Sequence, residues 1–176
     1  MKDHTAAIDE NRKETACLFT GHRALPEDQD ALTALQELLA GELTRAYAEG
    51  YRTFYSGGAV GFDLLCALTV LNMKHTVLPD AVLVFALPCY NHYKNWGKND
   101  KRLFANLLER ADEVVYVSES YRPGCMHKRN RYMVDRSSLC IAYCTKKTGG
   151  TAYTVGYAQK QHLPVRSLFK AEQEQK

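Results

Sequence analysis

The chain has 176 residues, of which 45% are hydrophobic and 24% are charged, a composition typical of globular proteins. Disordered and fibrous classes are therefore excluded, except at the ends. A domain of this length buries roughly 70% of the surface of its unfolded chain, so it needs no disulfide or metal for stability. The net charge of +3 is small. It does not indicate a broad basic groove, and we expect no nucleic-acid partner.

The two ends of the chain are polar, and they predict flexible tails over residues 1–14 and 171–176. One Rossmann-like domain is predicted between them, over residues 15–170. The N-terminus lacks the apolar segment of a secretory signal, and no apolar run is long enough to span a bilayer. We therefore expect a cytoplasmic protein with no membrane partner. The six cysteines include no CxxC pair, so reduced thiols are expected rather than zinc ligands.

Short apolar runs alternate with longer segments along the chain. The short runs predict strands at Ala16–Thr20, Thr53–Ser56, Ala81–Leu87, Glu113–Val117, Leu139–Cys144 and Pro164–Phe169. The longer segments predict helices at Asp30–Glu49, Phe62–Met73, Lys101–Ala111, Met126–Asp135 and Thr151–Gln161. The alternation predicts an α/β fold, a Rossmann-like three-layer sandwich with a mostly parallel sheet.

Glycine and polar residues follow the first predicted strand, in the segment Thr20, Gly21, His22 and Arg23. In an open parallel sheet, ligands bind outside the carboxyl ends of the strands. Gly21 permits a tight turn, and His22 and Arg23 could face an anion there. An ordinary turn with a solvated arginine explains the same residues equally well.

A glycine loop follows the second predicted strand and includes Ser56, Gly57, Gly58, Gly61 and Asp63. Three glycines before a helix could offer backbone N–H groups and a favourable dipole to a phosphate. The loop resembles the dinucleotide fingerprint without matching its spacing, and tight turns also use glycine. Asp63 is expected either to complement the helix dipole or to bind a ribose hydroxyl.

The predicted helix from Met126 to Asp135 places Met126, Asn130 and Met133 on one face. Arg129 lies at the border of that face. The pattern indicates a polar pocket covered by methionine, with Arg129 and Asn130 as ligand-binding residues. The alternative is an arginine that extends past the edge of the core.

Two further segments follow predicted strands. Gly149, Gly150 and Thr151 form a second glycine loop before the last helix, and we expect the two glycine loops to lie at adjacent strand ends. Trp96 follows the third strand among other aromatic and cationic residues. It could stack a base or pack as a lid over the edge of the sheet.

The segments TGHR, SGGAVGFD, the single Trp96, MHKRNRYMVD and TGGT together resemble the YpsA-like family of small bacterial proteins. That family belongs to the SLOG superfamily, with the DprA/Smf recombination proteins and the LOG nucleotide phosphoribohydrolases. The resemblance covers residues 16–168 and implies a Rossmann-like SLOG domain that binds a nucleotide or a derivative of the AMP, NAD or ADP-ribose type. It also implies two glycine walls and a phosphate-binding arginine, namely Gly57, Gly58 and Gly61, then Gly149, Gly150 and Thr151, and Arg129.

The residues after the second glycine loop bear on catalysis. LOG hydrolases carry a glutamate pair there, whereas this chain continues through Thr151 to Gly156 without a carboxylate. Cleavage of an N-glycosidic bond needs a carboxylate, which only Asp63 or Asp135 could supply from elsewhere. We therefore predict binding or sensing of a nucleotide-derived ligand, with no assigned catalytic residue, metal or further cofactor.

Two alternatives stay open at this point. One is a nucleotide N-glycosidase that resembles the phosphoribohydrolases, and the other is a single-stranded DNA binder that resembles DprA. The sequence leaves homo-oligomerisation and protein partners open.

Overall fold

A computed structural model describes residues 8–169 of the protein and contains one six-stranded sheet. The strands are β1 (Ala16–Gly21), β2 (Thr53–Ser56), β3 (Val82–Leu87), β4 (Glu113–Tyr116), β5 (Leu139–Tyr143) and β6 (Val165–Ser167). They lie in the order β4-β3-β2-β1-β5-β6, and every neighbouring pair is parallel. The predicted α/β fold with a parallel sheet is confirmed.

Helices connect the strands as predicted, and one additional helix precedes β1. They are α1 (Glu10–Glu14), α2 (Gln29–Ala48), α3 (Phe62–Met73), α4 (Lys98–Arg110), α5 (Cys125–Asp135) and α6 (Gly150–Lys160). Within residues 8–169, every helix is too short or too polar to cross a lipid bilayer.

Helix α1 corrects the prediction of a flexible tail over residues 1–14. The side chain of Asp9 caps this helix by accepting a hydrogen bond from Arg12 N at 3.1 Å. Arg12 in turn donates two hydrogen bonds, of 3.0 and 2.9 Å, to the Glu113 carboxylate at the start of β4. A fork of this kind fixes the helix against the sheet. Residues 1–7 and the predicted tail over 171–176 lie outside the described residues.

Side chains alternate between the two faces of the sheet. In β1, Cys17 and Phe19 belong to the core on one face, together with residues of α2, α3 and α4. Ala16 and Leu18 belong to the core on the other face, with residues of α5 and α6. Burial on both faces explains why β3 and β5 are continuously apolar. The molecule is therefore the predicted three-layer sandwich.

The order of the strands reverses direction at β1. Strands β1 to β4 follow one another across the sheet, and β5 then returns to the free side of β1. A crevice opens at such a switch point, outside the carboxyl ends of β1 and β5. The two glycine loops follow β2 and β5, so β1 separates them, and the expectation of adjacent strand ends was wrong.

The loop after β1 packs directly against the loop that precedes α3. The backbone N–H of Phe62 donates to the carbonyl of His22 at 3.1 Å. Gly61 has a φ of +83°, and a Cβ there would overlap the carbonyl of Arg23. Only glycine satisfies both conditions at position 61, so this residue fixes the conformation of the β1 loop.

We expect Gly61→Ala to lower the free energy of unfolding by about 2–4 kcal/mol, because overpacking and a left-handed φ both oppose the new Cβ. Urea denaturation measures the change. Gly41→Ala is the matched control, since Gly41 lies inside α2 with nothing within 4 Å of the added Cβ. That control should gain about 0.5–1 kcal/mol. Equal stability of the two variants would contradict the packing described here.

Candidate ligand-binding cleft

A cleft of about 250 Å³ lies at the carboxyl end of β1. It contains nine of the fifteen predicted site residues, namely Thr20, Gly21, His22, Arg23, Asp63, Arg129, Asn130, Gly150 and Thr151. Met126 and Met133, expected as its cover, also line it. Phe19 and Ala59 complete the lining. The sequence analysis missed these two because an apolar residue inside or beside a strand gives no sign of facing a ligand.

The glycine loop after β2 does not form the expected phosphate cradle. Ser56 Oγ accepts a hydrogen bond from Gly58 N at 3.3 Å and donates to the carbonyl of Asp63 at 2.9 Å. Asp63 Oδ2 accepts from Ala59 N at 3.3 Å. The loop thus uses these N–H groups internally. Four of its predicted site residues lie outside the lining of the cleft, namely Ser56, Gly57, Gly58 and Gly61.

Trp96 also lies outside the cleft. Its ring packs edge-to-face against His92 at 5.2 Å and Phe104 at 5.5 Å between centroids. The cluster rests on the main core and is partly buried. Edge-to-face rings of this kind contribute to packing, so the structure favours the lid over the base-stacking alternative for Trp96.

Arg129 joins α5 to the ends of two strands. The residue is only 5% exposed, and its Nη1 donates to the carbonyls of Gly57 and Ala86. Its Nε donates to Asn130 Oδ1 at 2.7 Å. We had expected the guanidinium to bind phosphate, but the structure uses two of its nitrogens for internal hydrogen bonds. Arg129 therefore supports the wall of the cleft.

Gly57 separates Arg129 from Asp63. A Cβ on Gly57 would lie 2.7 Å from the Arg129 Cζ and 2.7 Å from the Asp63 Oδ2, so the two charged groups occupy the space that a side chain would need. Burial raises the pKa of the Asp63 carboxyl, and the charge of Arg129 opposes that change. Burial likewise lowers the pKa of Arg129. The charges of Asp63 and Arg129, both buried, thus partly compensate each other.

Asp63 is the only acidic residue among the described residues that line the cleft. Asp135, the other candidate, accepts a hydrogen bond from the Tyr157 hydroxyl at 2.8 Å and lines a different pocket. Glycosidases of the usual kind need two carboxylates, one on each side of the scissile bond. The cleft offers one carboxylate, which can accept a hydrogen bond from a ligand hydroxyl.

His22 lines the cleft as a neutral ring. Its Nε2 accepts a hydrogen bond from Thr145 N at 2.7 Å, which places the ring proton on Nδ1. Burial, and then the charge of Lys146, lower the pKa of His22. The hydrogen bond ties the loop after β1 to the loop after β5, and these two loops form opposite sides of the switch point.

Helices α5 and α6 begin at the cleft without side-chain caps. Their N-cap residues are Gly124 and Gly149. A Cβ at Gly149 or Gly150 would meet nothing within 4 Å, so this loop is open, unlike the loop after β2. Gly149 itself lies just outside the cleft lining. Uncapped N–H groups with the positive end of a helix dipole attract anions.

Exposed cations surround the cleft, and within residues 8–169 none of them takes part in an ion pair. They are Arg23 after β1, and Lys146 and Lys147 after β5. Five cations elsewhere in the described region are paired, as Lys74 is with Asp112 at 2.6 Å. The local field at this edge is therefore positive. No three His, Cys, Asp or Glu side chains of the described region converge as a metal site.

The fold and the cleft define a Rossmann-like protein with a crevice at its topological switch point. The chain belongs to the YspA SLOG family, whose model matches residues 17–167. This confirms the YpsA-like, SLOG-type family that its motifs indicated.

Bacterial relatives cover most of the chain. The uncharacterized SPbeta prophage-derived protein YoqJ of Bacillus subtilis is 30% identical over 146 residues, which are 75% of this chain and 80% of YoqJ. The UPF0398 protein YpsA of Bacillus subtilis is 25% identical over 138 residues, which are 77% of this chain and 76% of YpsA.

Two solved structures share the fold. DNA processing protein A (DprA) of Streptococcus pneumoniae superimposes with a TM-score of 0.67 at 17% identity, over 93% of this chain and 53% of that protein. The chain thus spans about half of the length of that protein. DprA of Helicobacter pylori, described for its single-stranded DNA binding mode, gives a TM-score of 0.64 at 18% identity, over 95% of this chain and 72% of DprA.

The similarity to DprA corrects our expectation about nucleic acid. The small net charge of +3 led us to expect no nucleic-acid partner. A protein with this fold, from Helicobacter pylori, binds single-stranded DNA. A small net charge is therefore not a criterion that excludes nucleic-acid binding for this fold.

We expect Arg129→Met to lower the free energy of unfolding by about 3–5 kcal/mol, because it leaves Asp63 as a buried carboxylate without its compensating charge. Arg131→Met is the control on the same helix. Arg131 donates a hydrogen bond to the exposed Tyr153 hydroxyl, so its loss should change stability by about 0.5 kcal/mol or less. Urea denaturation of both variants measures the difference, and similar stabilities would contradict a supporting role for Arg129.

Stability should fall as the pH falls from about 7 to about 5.5. Burial lowers the pKa of His22 and of His92, so the native state binds fewer protons than the unfolded state in this range. Chemical denaturation at each pH measures the effect. The double variant His22→Gln/His92→Gln should flatten the profile, whereas His75→Gln, at an exposed position, should leave it unchanged. An unaltered profile in the double variant would count against the neutral state of these two rings.

Proposed function

We propose that the protein binds a phosphate-bearing nucleotide, with the phosphate at the open N-terminus of α6. The observation that carries the proposal is the juxtaposition of Gly150 and Thr151 with His22 and Arg23 across the cleft. A helix N-terminus supplies N–H donors and a positive dipole. A free cation and a neutral imidazole on the opposite side supply further donors.

The remaining polar groups suit the sugar of a nucleotide. The His22 ring carries its proton on Nδ1, because Nε2 is engaged by Thr145. The Asp63 carboxylate would repel a phosphate but can accept a hydrogen bond from a ribose hydroxyl. We therefore place the phosphate near α6 and Arg23, with the ribose towards Asp63.

The proposal is for binding and not for hydrolysis. Glycosidic cleavage of the usual type requires an acid and a second carboxylate on the opposite face of the sugar. The described lining of the cleft supplies Asp63 alone. A sensor or carrier of a nucleotide-derived ligand requires no second carboxylate.

Single-stranded DNA is a second candidate ligand. The specific observations that favour it are the fold shared with DprA of Helicobacter pylori and the unpaired cations around the cleft. A strand would place one phosphate in the cleft and others against Lys146 and Lys147. Such binding weakens steeply as salt is added, because each phosphate contact releases counterions.

Calorimetric titration with AMP, ADP-ribose, NAD and an oligothymidylate tests both candidates. Arg23→Ala should weaken binding of the preferred ligand about ten- to a hundredfold, because a charge-assisted hydrogen bond is lost. Arg102→Ala removes the same charge from the exposed surface of α4 and should leave the affinity unchanged.

The pattern across the four ligands decides between the candidates. Binding of a mononucleotide that depends on Arg23 supports the nucleotide proposal. Binding of the oligothymidylate alone, with a steep salt dependence, replaces it with the DNA candidate. Absence of binding for all four ligands at millimolar concentration would overturn both.

A further inference from the structure

An exposed group of rings and cations lies beside the cleft, between α5 and α6. We call it the aromatic strip and define it as His127, Arg131 and Tyr153. The His127 and Tyr153 rings meet edge-to-face with centroids 4.2 Å apart and 72° between their planes. Arg131 Nη1 donates to the Tyr153 hydroxyl at 2.9 Å. Both helices thus contribute to one ordered aromatic surface.

Tyr153 is unusual because it is held in place and exposed at once. The side chain has defined partners on α5, yet the residue is 38% exposed. Its ring also lies parallel to the Tyr157 ring, with 7° between the planes and 6.5 Å between the centroids. A tyrosine fixed beside cations offers stacking area with little entropy left to lose. Nucleobases bind to surfaces of this composition.

The strip lies at the same ends of α5 and α6 as the proposed phosphate site. His127 lies in the first turn of α5, as does the cleft residue Met126. Tyr153 lies in the first turn of α6, as does the cleft residue Thr151. A ligand that extends from the cleft over the first turns of α5 and α6 therefore reaches the level of the strip.

The size of the cleft is consistent with such an exit. Its volume of about 250 Å³ is below the range of about 300–1,000 Å³ typical of sites for drug-sized ligands. A phosphate and a sugar fill a space of this kind, and the base of the same nucleotide extends outside it. Arg131, which belongs to the strip, favours a ligand that is negatively charged.

We infer that the aromatic strip stacks the nucleobase of the ligand whose phosphate occupies the cleft. The inference rests on the proposed function, and it adds the chemical class of the second group that is recognised. The base belongs either to a free nucleotide or to one residue of a single strand. Both sources present the same flat ring to Tyr153.

Calorimetric titration with ribose 5-phosphate and with AMP separates the strip from the cleft. AMP should bind more tightly than ribose 5-phosphate by about five- to a hundredfold, the contribution of one stacked base. Tyr153→Leu should remove that advantage and leave the affinity for ribose 5-phosphate unchanged. Tyr153→Phe should keep most of it, because the phenyl ring still stacks. Tyr121→Leu, at another exposed tyrosine, is the control and should bind AMP as the wild type does.

The outcomes distinguish the two levels of the proposal. If ribose 5-phosphate binds but AMP gains nothing from Tyr153, the inference about the strip is overturned and the phosphate site stands. If neither compound nor an oligothymidylate binds, the proposed function itself fails. If Tyr153→Leu weakens binding of the oligothymidylate but not of AMP, the stacked base belongs to a single strand. If it weakens binding of AMP, the stacked base belongs to a free nucleotide. A thermal melt shows whether each variant is folded.

Discussion

The Arg129 guanidinium, buried between α5 and the sheet, is the interaction on which the geometry of the cleft depends. It ties α5 to the carbonyl of Gly57 after β2 and to that of Ala86 in β3. Position 57 must therefore be glycine, and Asp63 must lie close enough to compensate the charge. Because α5 is held at this depth, Met126 and Asn130 face the end of β1 and form a wall of the cleft.

The fold could be predicted because every layer leaves a clear pattern in the sequence. Strands buried on both faces form short apolar runs, and the bounds of β2 and α3 are the predicted ones. The site was predicted less completely, because a glycine does not reveal where its N–H points. The sequence does not distinguish Gly58 from Gly150. In the structure, the backbone N–H of Gly58 donates a hydrogen bond to Ser56 Oγ, whereas the space around Gly150 is open, with nothing within 4 Å of an added Cβ.

Net charge is a second sequence property that does not predict the site. The net charge of +3 sums over the whole surface, and it includes cations that are already neutralised by neighbours. Arg166, for example, is paired with Glu42 on α2 and with Glu49, which directly follows that helix. The local field at the cleft depends on the cations that stay unpaired near it, such as Arg23. Sequence position alone does not tell one set from the other.

The position of β1 in the middle of the sheet also bears on how the protein is made. Its neighbours are β2, early in the chain, and β5, more than a hundred residues after β1. A nascent chain that has emerged only as far as β4 has one flank of β1 unpaired and neither α5 nor α6 in place. Non-local pairing of this kind is slow and leaves an edge open to other chains. During translation, the ligand cleft is therefore among the last features to be completed, and β5 closes the vulnerable edge at the same time.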